Sequence, residues 1–166
     1  LWQHMPSGMA YSYREDSMPR GAAGCVRDAA DEDQSETYVV TDAAAVPNGV
    51  DLPELLERHR ASGAEATVVV SSEPGNGGTP GAVFPAGIYV LNRAALESIP
   101  PEGFFDIKEH LVPRLYRAGA RVLTYPITEV VPRVLNAQTY LAVNEMAIES
   151  IVSGGAVPGY DRRGEA

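Results

Sequence analysis

Residues 51–70 read DLPELLERHRASGAEATVVV, and this stretch decides the fold class. Asp51 followed three residues later by Glu54 is the capping-box spacing that opens a helix. Leu52, Leu55, Leu56 and His59 then fall at i, i+3, i+4 and i+7, one face of that helix, and Gly63 stops it. Thr67-Val68-Val69-Val70 follows at once as a short apolar run, the kind of strand buried on both faces of a sheet.

Working outward, the same alternation continues on both sides. Upstream, Tyr38-Val39-Val40 is a second buried strand, preceded by a helix from about Ala22 to Ala30 and a short strand at Met9–Tyr13. Downstream, Gly87-Ile88-Tyr89-Val90-Leu91 is a third strand and Val122-Leu123-Thr124-Tyr125 a fourth. Between them Asp106 and Glu109 repeat the capping box and open a helix with Ile107, Leu111 and Leu115 inward and Gly119 at its end. The last helix starts near Asn136 and is expected to bury Tyr140, Leu141, Ala147, Ile148 and Ile151. Strands alternating with helices predict an α/β domain over residues 9–153, with a largely parallel sheet flanked by helices. Residues 1–8 read as a loose arm, 154–166 as a flexible tail, and Glu73–Gly81 (EPGNGGTPG) as a low-complexity segment.

Composition narrows the class. A formal charge of −9 argues against a nucleic-acid partner, because phosphate backbones need a basic face. No apolar run approaches the roughly 20 residues that span a bilayer, which speaks against a membrane protein. The single cysteine, Cys25, excludes an internal disulfide and a thiolate metal site, and the cytoplasm is the expected compartment. The chain does not open on Met, which predicts a processed, trimmed or incomplete protein. Among 13 basic residues only Lys108 is a lysine.

In open α/β sheets, ligands bind outside the carboxyl ends of the strands, and Asp42 sits there, directly after the Tyr38–Thr41 run. Its carboxylate suits Mg²⁺ bridging to substrate phosphates; the alternative is a solvated aspartate capping a turn. Gly21-Ala22-Ala23-Gly24 before a helix offers backbone N–H groups to an anion or a base, or is a plain helix start. The acids Asp28, Asp31, Glu32 and Asp33 read as a solvated helix end. His59 and His110 read as packed, hydrogen-bonded histidines, Cys25 as a small core residue, and Arg114 and Arg133 as surface ion-pairing groups.

An ordered series of stretches over roughly residues 9–150 resembles the sugar-1-phosphate nucleotidyltransferases, as a truncated or degenerate member. Tyr11-Ser12-Tyr13-Arg14-Glu15 with Pro19-Arg20-Gly21-Ala22-Ala23-Gly24 resembles the family's turn against the nucleotide base. Tyr38–Asp42 resembles its V-x-N-G-D strand end, and residues 55–67 (LLERHRASGAEAT) its following helix and strand. Ala86–Leu91 resembles N-A-G-I-Y-V, Phe105–Gly119 the next helix, and Tyr140–Asn144 the closing Y-L-x-A-N helix.

The resemblance implies a Rossmann-like nucleotidyltransferase fold without a counterpart to the family's first βαβ unit. It implies transfer of a nucleotidyl group from a nucleoside triphosphate to a sugar-1-phosphate, releasing pyrophosphate and giving an NDP-sugar. It places the base at Gly21, Ala22, Ala23 and Gly24, the sugar at Ala86 and Gly87, and Mg²⁺ on Asp42, and it implies a homo- or hetero-oligomer. The departures bear on activity. Arg133 stands where the family carries its second metal aspartate, the Gly-rich loop and site lysines have no counterpart, and Lys108 is expected on a helix away from the site. No catalytic residue is assigned. Loss of several electrostatic groups together removes several kcal/mol of transition-state stabilisation. That favours, as a second class, a non-catalytic sugar-nucleotide-binding or regulatory subunit paired with a catalytic relative. A phosphoacceptor receiver domain ranks last, because it needs an acidic pair after its first strand and a lysine after its fifth.

Overall fold

The computed structural model describes residues 10, 12–16, 18–47, 49–72, 83–128 and 130–153, in two units: 16–133, and 1–15 with 134–166. The expected arm at 1–8, the segment at 73–81 and the tail at 154–166 lie outside the described residues. So do Met9 and Tyr11 of the expected first strand; Ala10, Ser12 and Tyr13 are not in a strand.

The larger unit begins with helix α1 (Gly21–Ala30) and strand β1 (Thr37–Thr41). Helix α2 (Leu52–Ser62), β2 (Ala66–Ser72), β3 (Val83–Asn92) and the short α3 (Arg93–Glu97) follow. A π-helical turn (Ile107–Leu111), α4 (Val112–Arg117) and β4 (Val122–Ile127) complete it. The four strands form one sheet in the order β1-β3-β2-β4.

The expectation of a largely parallel sheet is overturned. β1 and β2 both pair antiparallel with β3, and only β2 with β4 is parallel. The reason lies in the length of the link: only the ten residues 73–82 join β2 to β3, a parallel return needs a dozen or more, and a shorter link returns antiparallel. Even so, β1, β2 and β4 point the same way and β3 alone is reversed, so the carboxyl ends of three strands share one edge.

Both faces of the sheet are covered. Ala66, Val68, Tyr89 and Leu91 pack with Ala23, Leu96, Ile107, Leu111 and Leu115 under α1, α3 and α4. On the opposite face Val69, Ile88, Val90 and Tyr125 pack with Leu55 of α2. Across that second layer His59 is fully buried and tied into the sheet. Asn92 donates from Nδ2 to the Ala64 carbonyl at 2.7 Å, so its Oδ1 accepts from His59 Nε2 at 2.9 Å. His59 Nδ1 meets the Thr67 hydroxyl at 2.8 Å, and the packed, hydrogen-bonded histidine foreseen from the helical stripe is what the structure contains.

The caps explain the helix starts. Asp51 Oδ1 accepts from Glu54 N at 2.9 Å, while the Glu54 side chain turns to Arg58 and the Tyr125 hydroxyl. Gly63 ends α2 at φ +65°, a left-handed position that favours glycine. Asp106 caps the π turn by accepting from Lys108 N and Glu109 N at 2.8 and 2.9 Å. The returning contact comes from His110, whose Nδ1 accepts from Asp106 N at 3.1 Å, and not from Glu109. A π turn adds one residue per turn, which brings position 110 to where 109 would sit in an α-helix. His110 is therefore exposed, beside the Phe105 ring, and is no packed core histidine.

In the other unit, helix α5 (Ala137–Val152) is capped reciprocally by Asn136 and Thr139. The side chains expected to be buried are exposed: Tyr140 by 55%, Leu141 by 67% and Ile148 by 60%, with Ala147 and Ile151 exposed as well. Helical phase shows which face is apolar; it does not supply the surface that covers it.

Candidate functional site

At the edge where β1 ends, a cavity of about 760 Å³ opens between α1, β3 and the π turn. That volume is in the range of small-molecule sites. Ala22 and Cys25 of α1, Thr41 and Asp42 after β1, Gly87 and Tyr89 of β3, Asp106 and Lys108 of the π turn, and Arg133 line it. Three of the segments singled out in the sequence thus converge here: one residue of the Gly21–Gly24 turn, Asp42, and Gly87.

The Gly21–Gly24 turn contributes less backbone than its composition promised. The α1 start has no side-chain cap; the Phe105 carbonyl accepts from Ala23 N at 3.0 Å and Gly24 N at 3.3 Å instead. Phe105 N returns a bond to the Arg20 carbonyl at 2.8 Å. A Cβ on Gly21 would stand 2.6 Å from that Phe105 oxygen, so glycine here serves close packing. Ala23 is buried in the core, and Ala22 is the one residue of the four that lines the cavity. Ala86 is also buried, on the α2 face of the sheet, and Gly87 is the member of that pair in the cavity wall.

Asp42 is held from two sides. Its Oδ1 accepts from Ala44 N at 3.0 Å, and its Oδ2 is in an ion pair with Arg133 Nη2. The backbone fixes both partners: Asp42 N donates to the Gly87 carbonyl at 2.8 Å, Val46 N to the Pro132 carbonyl at 2.9 Å, and Ala45 bridges to Arg133. The Ala44 amide, with the Arg133 guanidinium after it, holds the Asp42 carboxyl below the usual carboxylate range. Gly87 passes beneath the pair at φ +80°, within a register shift between β2 and β3. A Cβ there would lie 3.0 Å from Arg133 Nη1 and 3.1 Å from Asp42 Cβ.

As arranged here, these groups do not fit the Mg²⁺ that the resemblance implies. Mg²⁺ takes near-octahedral oxygen ligation, commonly one or two carboxylates with water and phosphate. Asp42 brings one carboxylate already engaged at both oxygens, and no group of three or more His, Cys, Asp or Glu among the described residues could hold a metal. A divalent ion about 4 Å from a guanidinium meets a repulsion between roughly 2 kcal/mol in bulk water and roughly 8 kcal/mol at an effective dielectric of 20.

Several wall residues were not foreseen. Lys108 was expected away from the site, yet it lines the cavity because the π turn packs beside α1. Cys25 is exposed and not a core residue: its Sγ donates to Asp16 Oδ2 at 3.1 Å. Partial burial, and after it that bond, push the thiol pKa up, so it is no activated nucleophile. Tyr89 is likewise raised by burial and by the charges of Asp106 and Asp42. Of the expected solvated acids, Asp28 pairs with Arg20 at 2.9 Å and Asp33 accepts from Ser35. Arg114 lies over the Phe105 ring.

With this geometry in place, similarity to solved structures becomes informative. No protein-family model matches the chain, and no curated protein does. Solved structures do. A provisionally assigned glucose-1-phosphate thymidylyltransferase from Bacillus anthracis, in complex with a sucrose, aligns with a TM-score of 0.68 at 14% identity. The alignment covers 84% of this chain and 66% of that one. The fold is similar to that of this thymidylyltransferase structure. HddC from Yersinia pseudotuberculosis, complexed with GMP-PN, aligns with a TM-score of 0.62 at 12% identity over 80% of this chain and 64% of its own. The chain spans less than two thirds of the length of either structure, and at these identities the likeness establishes the fold alone. No helix among the described residues is long and apolar enough to cross a membrane.

Proposed function

We propose that this chain is a sugar-1-phosphate nucleotidyltransferase-like domain whose cavity receives a nucleotide and a sugar phosphate, or the NDP-sugar that joins them. The observation that carries this is the convergence of Ala22, Asp42 and Gly87 on one cavity at the shared carboxyl edge of β1, β2 and β4. Ligands of α/β sheets bind at that edge. In this reading the α1 start lies against the base, with Gly21, Ala23 and Gly24 fixing its position through Phe105. Gly87 lies against the sugar, held by its buried neighbour Ala86, and Arg133 and Lys108 face the phosphates. The setting is cytoplasmic, where a lone exposed thiol stays reduced.

One observation favours a second reading, in which the domain binds sugar nucleotides without turning them over and pairs with a catalytic relative. Arg133 neutralises the carboxylate that the resemblance would give to metal, and charge neutralisation is the main term in phosphoryl-transfer chemistry. A single experiment separates the two. The chain is titrated with a panel of NDP-sugars by calorimetry, then assayed for pyrophosphate release from nucleoside triphosphates with matching sugar-1-phosphates. Binding with turnover supports transfer, and binding without turnover supports the second reading. No binding across the panel sinks both.

A further inference from the structure

We infer that the Arg133 guanidinium takes the place of a metal ion at Asp42, so that the cavity receives the phosphates of its ligand with no requirement for a divalent cation. The argument starts from the pair itself. Each Asp42 oxygen already has a partner, one a backbone amide and the other Arg133, so an ion would have to share the carboxylate with a guanidinium. Arg133 is not a side chain that wandered to its partner: its backbone is bridged to Ala45, and the adjoining Pro132 carbonyl accepts from Val46 N. The space the guanidinium occupies is reserved by a glycine, because any Cβ at Gly87 would crowd Arg133 and Asp42 together. Three chain segments are therefore shaped around one cation.

That cation is also placed to act on a ligand. Arg133 is about one-third exposed and lines the cavity, with Lys108 also in the wall. A guanidinium carries five N–H donors in a planar fork, and one carboxylate oxygen leaves most of them to a phosphate. Asp42 then acts as a positioning residue that aims Arg133. A diphosphate ligand would meet a permanent charge that needs no loading, and chelators would leave its affinity unchanged.

The inference about ligands rests on the cavity being a sugar-nucleotide site, whereas the inference about metal does not, and the test has an arm for each. In the first, Mn²⁺ is titrated into the intact chain and bound ion read by electron paramagnetic resonance. We expect the same binding for wild type and Asp42→Asn, and a new saturable site in Arg133→Asp, where a second carboxylate would face Asp42. Saturable Mn²⁺ binding in wild type that disappears in Asp42→Asn overturns the inference. So does an Arg133→Asp protein that stays folded by circular dichroism but gains no site.

In the second arm, NDP-sugar affinity is measured by calorimetry in EDTA and in millimolar Mg²⁺. Wild type should change by less than about threefold between the two, and Arg133→Gln should lose at least about tenfold in both. A wild-type affinity that collapses in EDTA overturns the inference. If no NDP-sugar binds at all, the functional reading fails on its own, and the Mn²⁺ arm still decides the role of Arg133.

Discussion

Replacing Gly87 by alanine tests the cradle around Asp42 and Arg133 through stability alone. Two costs add. The backbone at φ +80° is left-handed, which costs an alanine about 1–2 kcal/mol. The new methyl would also sit 3.0 Å from Arg133 Nη1, 3.1 Å from Asp42 Cβ and 3.7 Å from Ala45 Cβ. The guanidinium is the end of a flexible chain and can retreat. Asp42 Cβ cannot, because the Asp42 amide is bonded to the Gly87 carbonyl at 2.8 Å. Overpacking of this kind costs about 1–3 kcal/mol, giving about 2–5 kcal/mol in total.

Gly63→Ala is the control. Gly63 has nearly the same backbone, φ +65°, with nothing within 4 Å of the added Cβ, so it carries the first cost only. The change in unfolded-chain entropy is the same for both substitutions and cancels. Urea unfolding with a common m-value should place Gly87→Ala about 1–3 kcal/mol below Gly63→Ala. In Arg133→Ala the same Gly87→Ala change should cost less, because one of its close contacts is gone. If the two glycine variants agree to within about 0.5 kcal/mol, the crowding argument is wrong, and the cradle does not depend on glycine.

Other substitutions report on other parts of the molecule. His59→Leu leaves Thr67 and Asn92 without their buried partner and should cost about 2–4 kcal/mol in urea unfolding, with less than additive loss when combined with Asn92→Ala. The Asp42 pKa is lowered in the folded state from 3.8. Its contribution is therefore full above that value and lost as the pH falls through the folded one. The melting temperature of wild type should drop toward that of Asp42→Asn below about pH 4, and curves that stay parallel would contradict this. The Cys25 thiol, raised by partial burial and by its bond to Asp16, should alkylate with iodoacetamide at least about threefold more slowly than a free cysteine, and Asp16→Asn should speed it up, as read by intact mass.

Local signals carried most of the elements. Asp51, Gly63, Asp106 and Asn136 each mark a helix end that the structure contains, because a cap is settled within four residues of chain. The direction of β3 was not legible: the apolar runs carry no sign of direction, and they stop at Val70 and resume at Gly87, a gap that only the strands' extension to Ser72 and Val83 makes too short for a crossover. What no local pattern could show is how distant segments meet. Asp42 and Arg133 are 91 positions apart, and no local pattern marks either as the other's partner; only the resemblance, which sets Arg133 at the family's second metal aspartate, draws them to one site. The Phe105 cap on α1 is of the same kind: the turn at Gly21–Gly24 looked open because the carbonyl that fills it lies elsewhere in the chain. α5 failed for the opposite reason, as an apolar stripe with most of its large side chains exposed.

The placing of β3 between β1 and β2 also sets an order of assembly. Closing β2 onto β3 brings together residues separated only by 73–82, whereas β1 with β3 spans 42–82 and β2 with β4 spans 73–121. Loop-closure entropy grows with the logarithm of length, so each longer closure costs about 1 kcal/mol more. The β2–β3 pair is then the seed of the sheet, and β1 and β4 add to its two sides. In pulse-labelled hydrogen exchange the amides of Thr67 and Val90 should gain protection before those of Val40 and Leu123, which face β3 and β2, so the edge that carries Asp42 is completed only after the middle of the sheet exists.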